Sequence, residues 1–378
     1  MAVIKPFKSI RPRKGLEDKI AALPYDVYNR SEAKQAVKDN PLSFLNIDRP
    51  ETQYDDDFDM YSDESYQTAA RLLDGMLERN EYIRDDKAYY YIYELTMNGR
   101  AQTGIVAVAS VDDYINETIK KHENTRADKE LDRIKHVDTL SKQTGPIFLA
   151  YKSNEAINSI VDKVKTTEPL YDFVSDDLIS HRVWIISDSD DISCIQDAFS
   201  TINSIYIADG HHRCASAVKV SLKRRQEKPD YTGDEEFNYF LSVLFPDNQL
   251  MIMDYNRVIK DLNGKTEAEI IDELKKVGTL TTLHSEDKHP VKKGDVSVYI
   301  GSTWYTLSFN DELMVDDPVE GLDVSILQNN VLKPVFGIND PKTDKRIDFV
   351  GGIRGTKELE RRVNSDCKIA FAMYPTSI

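Results

Sequence analysis

Two short segments of this chain hold side chains able to do chemistry. The first is Asp209-Gly210-His211-His212-Arg213, which follows the apolar run Ile205-Tyr206-Ile207-Ala208 and precedes Ala215, Ala217, Val218 and Leu222 at helical spacing. A strand that hands over to a helix leaves these five residues on the connecting turn. The first N–H groups of a helix lack intrahelical partners and its dipole is positive there, so the turn is suited to an anion. Gly210 lets backbone approach a ligand, and Arg213 offers a planar fork that fits phosphate or carboxylate. Asp209 either caps the helix or helps to hold a metal ion. His211 and His212 either bind metal, donate to phosphate or fill a polar turn. With no HExxH or paired Cys/His spacing around them, no metal site is assigned.

The second segment is His122-Glu123-Asn124-Thr125, at the mouth of a polar, helix-forming stretch. Glu123 beside His122 has the character of a general base, provided that folding brings it near the anion turn. The competing reading is helix capping by Asn124 or Thr125, with Asp128 and Glu130 favouring the first turn. Asp132 and Arg133 follow on the same helix, where Arg133 either pairs with neighbours or points into the anion site. Two further stretches carry weaker signals. Leu23-Pro24-Tyr25-Asp26 is a rigid turn whose Tyr25 and Asp26 could line a pocket together with Thr125 and Arg133. Gly351-Gly352-Ile353-Arg354-Gly355 is glycine-rich, yet it lacks the lysine and hydroxyl residue of a P-loop and does not match GxGxxG.

The elements that must position these residues follow from periodicity and turn chemistry. Ser31 is a candidate cap for a helix reaching Val37, and residues 65–82 repeat apolar side chains at helical spacing. Residues 88–111 read as two strands around Asn98-Gly99, a strong hairpin signal. A helix after His122, a strand over 146–151, a helix over 156–164 and a strand over 182–187 lead to the DGHHR turn. Beyond it, 237–245 and 250–259 read as two strands joined by Pro246-Asp247-Asn248. A helix over 267–276, a hairpin over 296–309, a helix ending near Pro334 and a strand at 348 complete the chain. The expected architecture is α+β, with mixed sheets and packed helices. Asn263-Gly264 breaks the pattern, so the expected domains are 1–262 and a smaller α+β domain over 263–378.

Composition narrows the function classes. The chain of 378 residues is long enough for one large or two moderate domains. It carries 49 basic against 65 acidic residues, a formal charge of −16, which disfavours a surface built for nucleic acid or an anionic membrane. The acidic run Asp55, Asp56, Asp57 and Asp59 reads as solvated surface, and Lys223-Arg224-Arg225 as the solvated end of the helix after DGHHR. Three widely spaced cysteines, Cys194, Cys214 and Cys367, indicate neither a disulfide framework nor structural zinc. No apolar run approaches the length that spans a bilayer, and a cytoplasmic location is expected.

The motifs LPYDV at 23–27, HENT at 122–125 with Asp132-Arg133, IADGHHR at 207–213 and LDVSILQNNVL at 322–332 together resemble the domain of unknown function 1015 family. Over roughly residues 100–260 the chain also resembles the free serine kinases of the ParB/sulfiredoxin superfamily, which carry a His-Glu pair before a helix and a later strand ending in DGHHR. That second resemblance implies a ParB/sulfiredoxin-like nucleotide-binding core with Glu123 as the base, assisted by His122. Asp209, Gly210, His211, His212 and Arg213 would then hold the phosphates. It implies transfer of a phosphoryl group from a nucleotide, ATP or ADP with Mg2+, to a small hydroxyl metabolite, free L-serine being the first candidate. The intervening strands and helices and the LPYDV and LDVSIL motifs depart from that pattern. The alternative is a nucleotide-responsive regulatory or partition-type protein that binds without turnover. A sulfiredoxin-like repair enzyme would need a reactive cysteine in the turn, and Cys214 follows Arg213, whereas those enzymes place theirs before the histidine.

Overall fold

The computed structural model describes residues 1–122, 127–341 and 343–376. The chain divides into two compact units, Met1–Leu250 and Met251–Ile378. The first holds strands β1 (Ile4–Lys5), β2 (Ile10–Pro12), β3 (Tyr82–Arg84), β4 (Tyr90–Met97), β5 (Arg100–Ser110), β6 (Ile119–Lys120), β7 (Ile147–Tyr151), β8 (Tyr171–Val174), β9 (Ser180–Ile186), β10 (Ile205–Asp209) and β11 (Tyr239–Pro246). The second holds β12 (Tyr255–Ile259), β13 (Gly278–Thr282), β14 (Asp295–Ile300), β15 (Thr303–Phe309), β16 (Ile347–Gly351) and β17 (Ile369–Met373).

In the first unit a nine-stranded sheet runs β6-β10-β7-β11-β5-β4-β9-β8, with β1 added on β5. The pairs β10 with β6 and β11 with β7 are parallel, and the remaining pairs are antiparallel. The β4–β5 hairpin forms as expected, because Asn98 and Gly99 adopt φ of 52° and 78°, the left-handed pair that matches strand twist. Of its tyrosines, Tyr90 and Tyr91 are buried in the domain. Ile92, Ile105, Leu149, Trp184, Ile205, Ile207 and Phe240 build the core with Cys214, Ala217 and Val218 of the helix His211–Glu227. A second cluster joins Ile20, Ile47, Ala69, Leu73, Met76 and Tyr82 to Leu140 of the helix Ala127–Leu140. The helix Asp63–Glu78 supplies Ala69, Leu73 and Met76 at three- and four-residue spacing, as one buried face requires.

The second unit is a six-stranded antiparallel sheet ordered β13-β15-β14-β17-β12-β16. It has apolar side chains on both faces. Ile369, Phe371 and Met373 pack with the helix Glu267–Val277 and the helical segment at 323–336, while Ala370 and Ala372 pack with Leu359 of the helix Gly355–Ser365. A strand covered on both sides needs no polar alternation, which is why IAFAM is apolar throughout.

Several expectations change here. The helix Arg30–Val37 is capped by Asn29 in a reciprocal box with Glu32, and Ser31 instead donates to the Asn29 side-chain Oδ1 at 2.8 Å. Residues 237–259 are not two paired strands: β11 lies between β7 and β5, whereas β12 lies between β17 and β16. The break between the units therefore precedes the Asn263-Gly264 turn. The helix expected to end near Pro334 continues to Phe336 by widening into a π turn over Gln328–Leu332, one residue ahead of the proline. A proline removes one helical N–H and its ring clashes with the carbonyl four residues back, and a wider turn accommodates both.

Gly104 sits where β5 passes close to β11. A Cβ there would lie 2.8 Å from the Leu244 carbonyl oxygen and 2.8 Å from the Phe245 ring. Gly104→Val is expected to lose roughly 1–3 kcal/mol through overpacking, measured as a lower urea midpoint at unchanged m-value.

Candidate functional site

Gly210 takes φ 92° and ψ 31°, a left-handed conformation that glycine adopts without cost. The helix begins at once, so His211, His212 and Arg213 form its first turn instead of a loop before it. Gly210 at the N-cap has no side chain to cap this end, and no acidic residue lies in the helix's own first turn. Asp209 does not cap. Its Oδ2 pairs with Arg213 Nη2 at 2.6 Å, and Arg213 Nη1 donates to the Pro146 carbonyl at 2.6 Å. The guanidinium lies between two glycines, since a Cβ on Gly210 would meet Nη2 at 3.1 Å and one on Gly145 would meet Nη1 at 3.2 Å. Close approach at Gly210 thus serves Arg213 of the same chain.

His211 is buried, and its ring meets that of His122 edge to face with centroids 4.4 Å apart. His122, the first residue of the HENT motif, thereby touches the DGHHR turn. Glu123 and Thr125 lie outside the described residues.

Arg133 reaches the same region from the helix Ala127–Leu140. It is 7% exposed and binds Asp132 through Nε at 2.9 Å and Nη2 at 2.8 Å, while Nη1 stands 3.9 Å from Asp48. Its guanidinium also lies over the Tyr25 ring, 4.2 Å from the centroid. Asp132 accepts a further bond from the Tyr66 hydroxyl at 2.9 Å, and Asp48 accepts one from Thr144 at 2.8 Å. Burial opposes the charge on Arg133, but Asp132 and Asp48 outweigh it and hold the group above its ordinary value. Burial raises the Tyr25 phenol, and Arg133 opposes that rise.

Tyr25, Asp48, Arg133, His136 and Arg213 together line a cavity of about 150 Å3. Asp26 is exposed and is not among its lining residues. The LPYD turn is held over the cavity by Arg49, whose Nη1 donates to the carbonyls of Tyr25 at 3.0 Å and Tyr28 at 2.8 Å while Nε pairs with Glu51 at 2.5 Å. Sequence reasoning missed Asp48, Arg49, Thr144 and His136. Only His136 left a signal: it stands three residues after Arg133 and so shares its helix face.

Several other expected features resolve differently. Lys223 and Arg224 both bind Asp138, and Arg225 binds Asp112 at 2.7 Å, so the basic run clamps helix to neighbouring elements. At the glycine-rich turn, Gly352 N–H donates to the Asp254 carbonyl at 2.7 Å and the Asp254 carboxylate occupies the space beside it, an arrangement hostile to phosphate. Cys214 is buried, and burial pushes its thiol well above the ordinary value, which removes the reactive cysteine that a sulfiredoxin-like reaction needs. Among the described residues, no group of three or more His, Cys, Asp or Glu side chains is placed to hold a metal ion, and no helix is long and apolar enough to cross a membrane.

The fold and site thus define an α+β unit in which the helix starting at His211 begins beside a small cavity lined by two arginines. The chain belongs to the family described as protein of unknown function (DUF1015), whose model matches residues 4–325. That span contains the LPYDV, HENT and DGHHR motifs. No curated protein and no solved structure matches the chain.

Two measurements check this geometry. Cys194 is exposed while Cys214 and Cys367 are buried, so iodoacetamide under native conditions is expected to label Cys194 alone. His136 is held below the 6.5 of an ordinary imidazole by burial first and Arg133 second. The unfolded chain then takes up a proton that the folded chain refuses, and stability falls as pH drops below 6.5, by at most roughly 1.4 kcal/mol per pH unit. Urea midpoints at neutral and mildly acidic pH are expected to differ less in His136→Phe than in the wild type.

Proposed function

We propose that this protein transfers a phosphoryl group from ATP or ADP to a small hydroxyl metabolite, with free L-serine as the first candidate. The observation that carries this reading is the ring contact between His122 and His211, which brings the residue before Glu123 to a helix N-terminus whose N-cap is a glycine. Phosphoryl transfer needs phosphates held by backbone N–H groups and cations, and a carboxylate that orients and deprotonates the acceptor. In this reading the helix end at His211, His212 and Arg213 receives the phosphates. Glu123, the residue after His122, takes the acceptor proton as the acceptor oxygen bonds to the terminal phosphorus and the phosphoanhydride bond breaks, releasing ADP from ATP or AMP from ADP. The resemblance of both motifs to the free serine kinases of the ParB/sulfiredoxin superfamily supports the same roles.

Magnesium would supply charge neutralisation for the phosphates. It commonly keeps several waters and binds through phosphate oxygens and one or two carboxylates, a requirement that Asp209 at the turn fits. Arg213 has a structural task as well, since it joins Asp209 to Pro146.

Calorimetric titration with ATP, ADP and CTP in the presence of magnesium is expected to show binding by the wild type, weakened at least tenfold in Arg213→Ala. Glu123→Gln should retain nucleotide binding and lose about a hundredfold or more in turnover of L-serine to phosphoserine, the size typical of a removed general base. Nucleotide binding without any phosphorylated product would instead identify a nucleotide-responsive binding protein. Failure to bind any of the three nucleotides would end the phosphoryl-transfer reading.

A further inference from the structure

A second and much larger cavity, of about 1220 Å3, lies wholly within the first unit. Its floor is the nine-stranded sheet. Successive side chains of a strand point to opposite faces, and on β4, β5, β9 and β11 one set, Ile92, Ala107, Trp184 and Phe240, is buried in the core. The other set is apolar as well. Tyr93 stands opposite Val183 and Val108 opposite Leu241, and all four are half-buried and line the cavity. An antiparallel sheet with one face in water alternates apolar with polar residues. These strands do not, and the protein covers their second face only in part, with Phe44, Leu73 and Val137 among the further apolar lining. Large apolar surface of this kind inside a concave site is what a small-molecule ligand buries. From Leu241 on β11 to Phe173 on β8 the lining crosses five adjacent strands, a span of roughly 19 Å at the spacing of a sheet, so the shape suits an elongated ligand.

The ribbon of β2 and β3 supplies the charge. Ile10 pairs with Arg84 and Pro12 with Tyr82, and all four line the cavity. The ribbon's other face carries Arg11 and Asp85, which bind each other at 2.8 Å. The Asp85 N–H donates to the Ser9 carbonyl at 2.9 Å, so the pairing continues past Ile10 and sets Lys8 diagonally across from Arg84 on the cavity face, with Cα atoms roughly 7–8 Å apart. Lys8 and Arg84 are exposed, both line the cavity, and neither side chain has an ion pair or hydrogen bond among the described residues. Most other charges of the lining are engaged: Lys5 with Asp234, Lys142 with Asp74, Arg224 with Asp138, and Glu235 with Lys228. Glu17 accepts the Gly15 N–H. Glu236, the lining carboxylate without a partner among the described residues, lies two positions from the Asp234 that Lys5 binds, not on the ribbon.

We propose that this cavity binds a long-chain fatty acid, with its hydrocarbon chain along the second face of the sheet and its carboxylate at Lys8 and Arg84. The apolar strands supply affinity that grows with chain length, and the two cations on the ribbon select an anionic head. The site is separate from the proposed phosphoryl transfer, and neither reading depends on the other.

The test titrates the full chain with dansyl-undecanoate, a fatty acid whose fluorescence rises on leaving water, and displaces it with dodecanoate, hexanoate or dodecanol. The wild type is expected to prefer dodecanoate over hexanoate by at least a hundredfold, since each of the six additional methylenes contributes about fourfold once buried. It should prefer dodecanoate over dodecanol by at least tenfold. Exchanging both cations, Lys8→Gln with Arg84→Gln, is expected to abolish the preference over dodecanol while leaving displacement by dodecanol unchanged. Ala88→Trp, at an exposed position of the lining, should weaken dodecanoate and dodecanol alike by at least fivefold. All three positions are exposed, and an unchanged urea midpoint checks that the fold is intact in each variant. No binding of the probe, equal displacement by hexanoate and dodecanoate, equal displacement by dodecanoate and dodecanol, or folded variants that behave as the wild type each overturn the inference.

Discussion

The site depends on one side chain being held flat against the backbone. Arg213 ties the end of β10, through Asp209, to the residue before β7, through the Pro146 carbonyl, and does so from the first turn of the helix that follows β10. Glycines at 145 and 210 leave room for the guanidinium. Gly210 meets two demands at once: its left-handed φ turns the chain into the helix, and its missing side chain admits the arginine. A residue with a Cβ would be strained at the first and would press on the guanidinium, 3.1 Å away, at the second.

Around that clamp, charges occur in matched sets. Arg133 has Asp132 and Asp48, Arg49 has Glu51, and Arg213 has Asp209. Arg133, Arg49 and Glu51 are largely withdrawn from water, and groups so placed would be strongly unfavourable if unpaired. The arrangement therefore stiffens three chain segments that are distant in sequence, the LPYD turn, the Asn46–Asp48 region and the helix carrying Arg133. Binding surfaces benefit from such stiffness because less freedom is lost when a ligand arrives.

Much of this could be read before the structure. Asn98-Gly99 announced its hairpin because two adjacent left-handed residues admit few alternatives, and DGHHR stood out because charged side chains rarely follow an apolar strand without purpose. The LPYD turn and Arg133 were both suspected of facing a pocket, and they meet there. Asp26 was suspected for the same reason and faces solvent, since a single 3-10 turn over Tyr25–Val27 points neighbouring side chains in different directions. Asp48 and Thr144 were invisible for a different reason. They reach the site through tertiary packing, and neither spacing nor residue type in their own segments reports that. The separation of β11 from β12 was equally hidden, because an apolar strand carries the same pattern in either sheet.

The position of β11 and β17 in their sheets has a consequence for how the chain is made. Each is the last strand of its unit in sequence, yet each lies in the interior, β11 between β7 and β5 and β17 between β14 and β12. During synthesis neither sheet can close until that final strand has emerged, and until then the flanking strands present open hydrogen-bonding edges. Contacts joining distant parts of the chain also form slowly, because loop closure must precede any gain from pairing. The interval between translation of β5 and arrival of β11 is thus the time during which the first unit most needs protection from other unfolded chains.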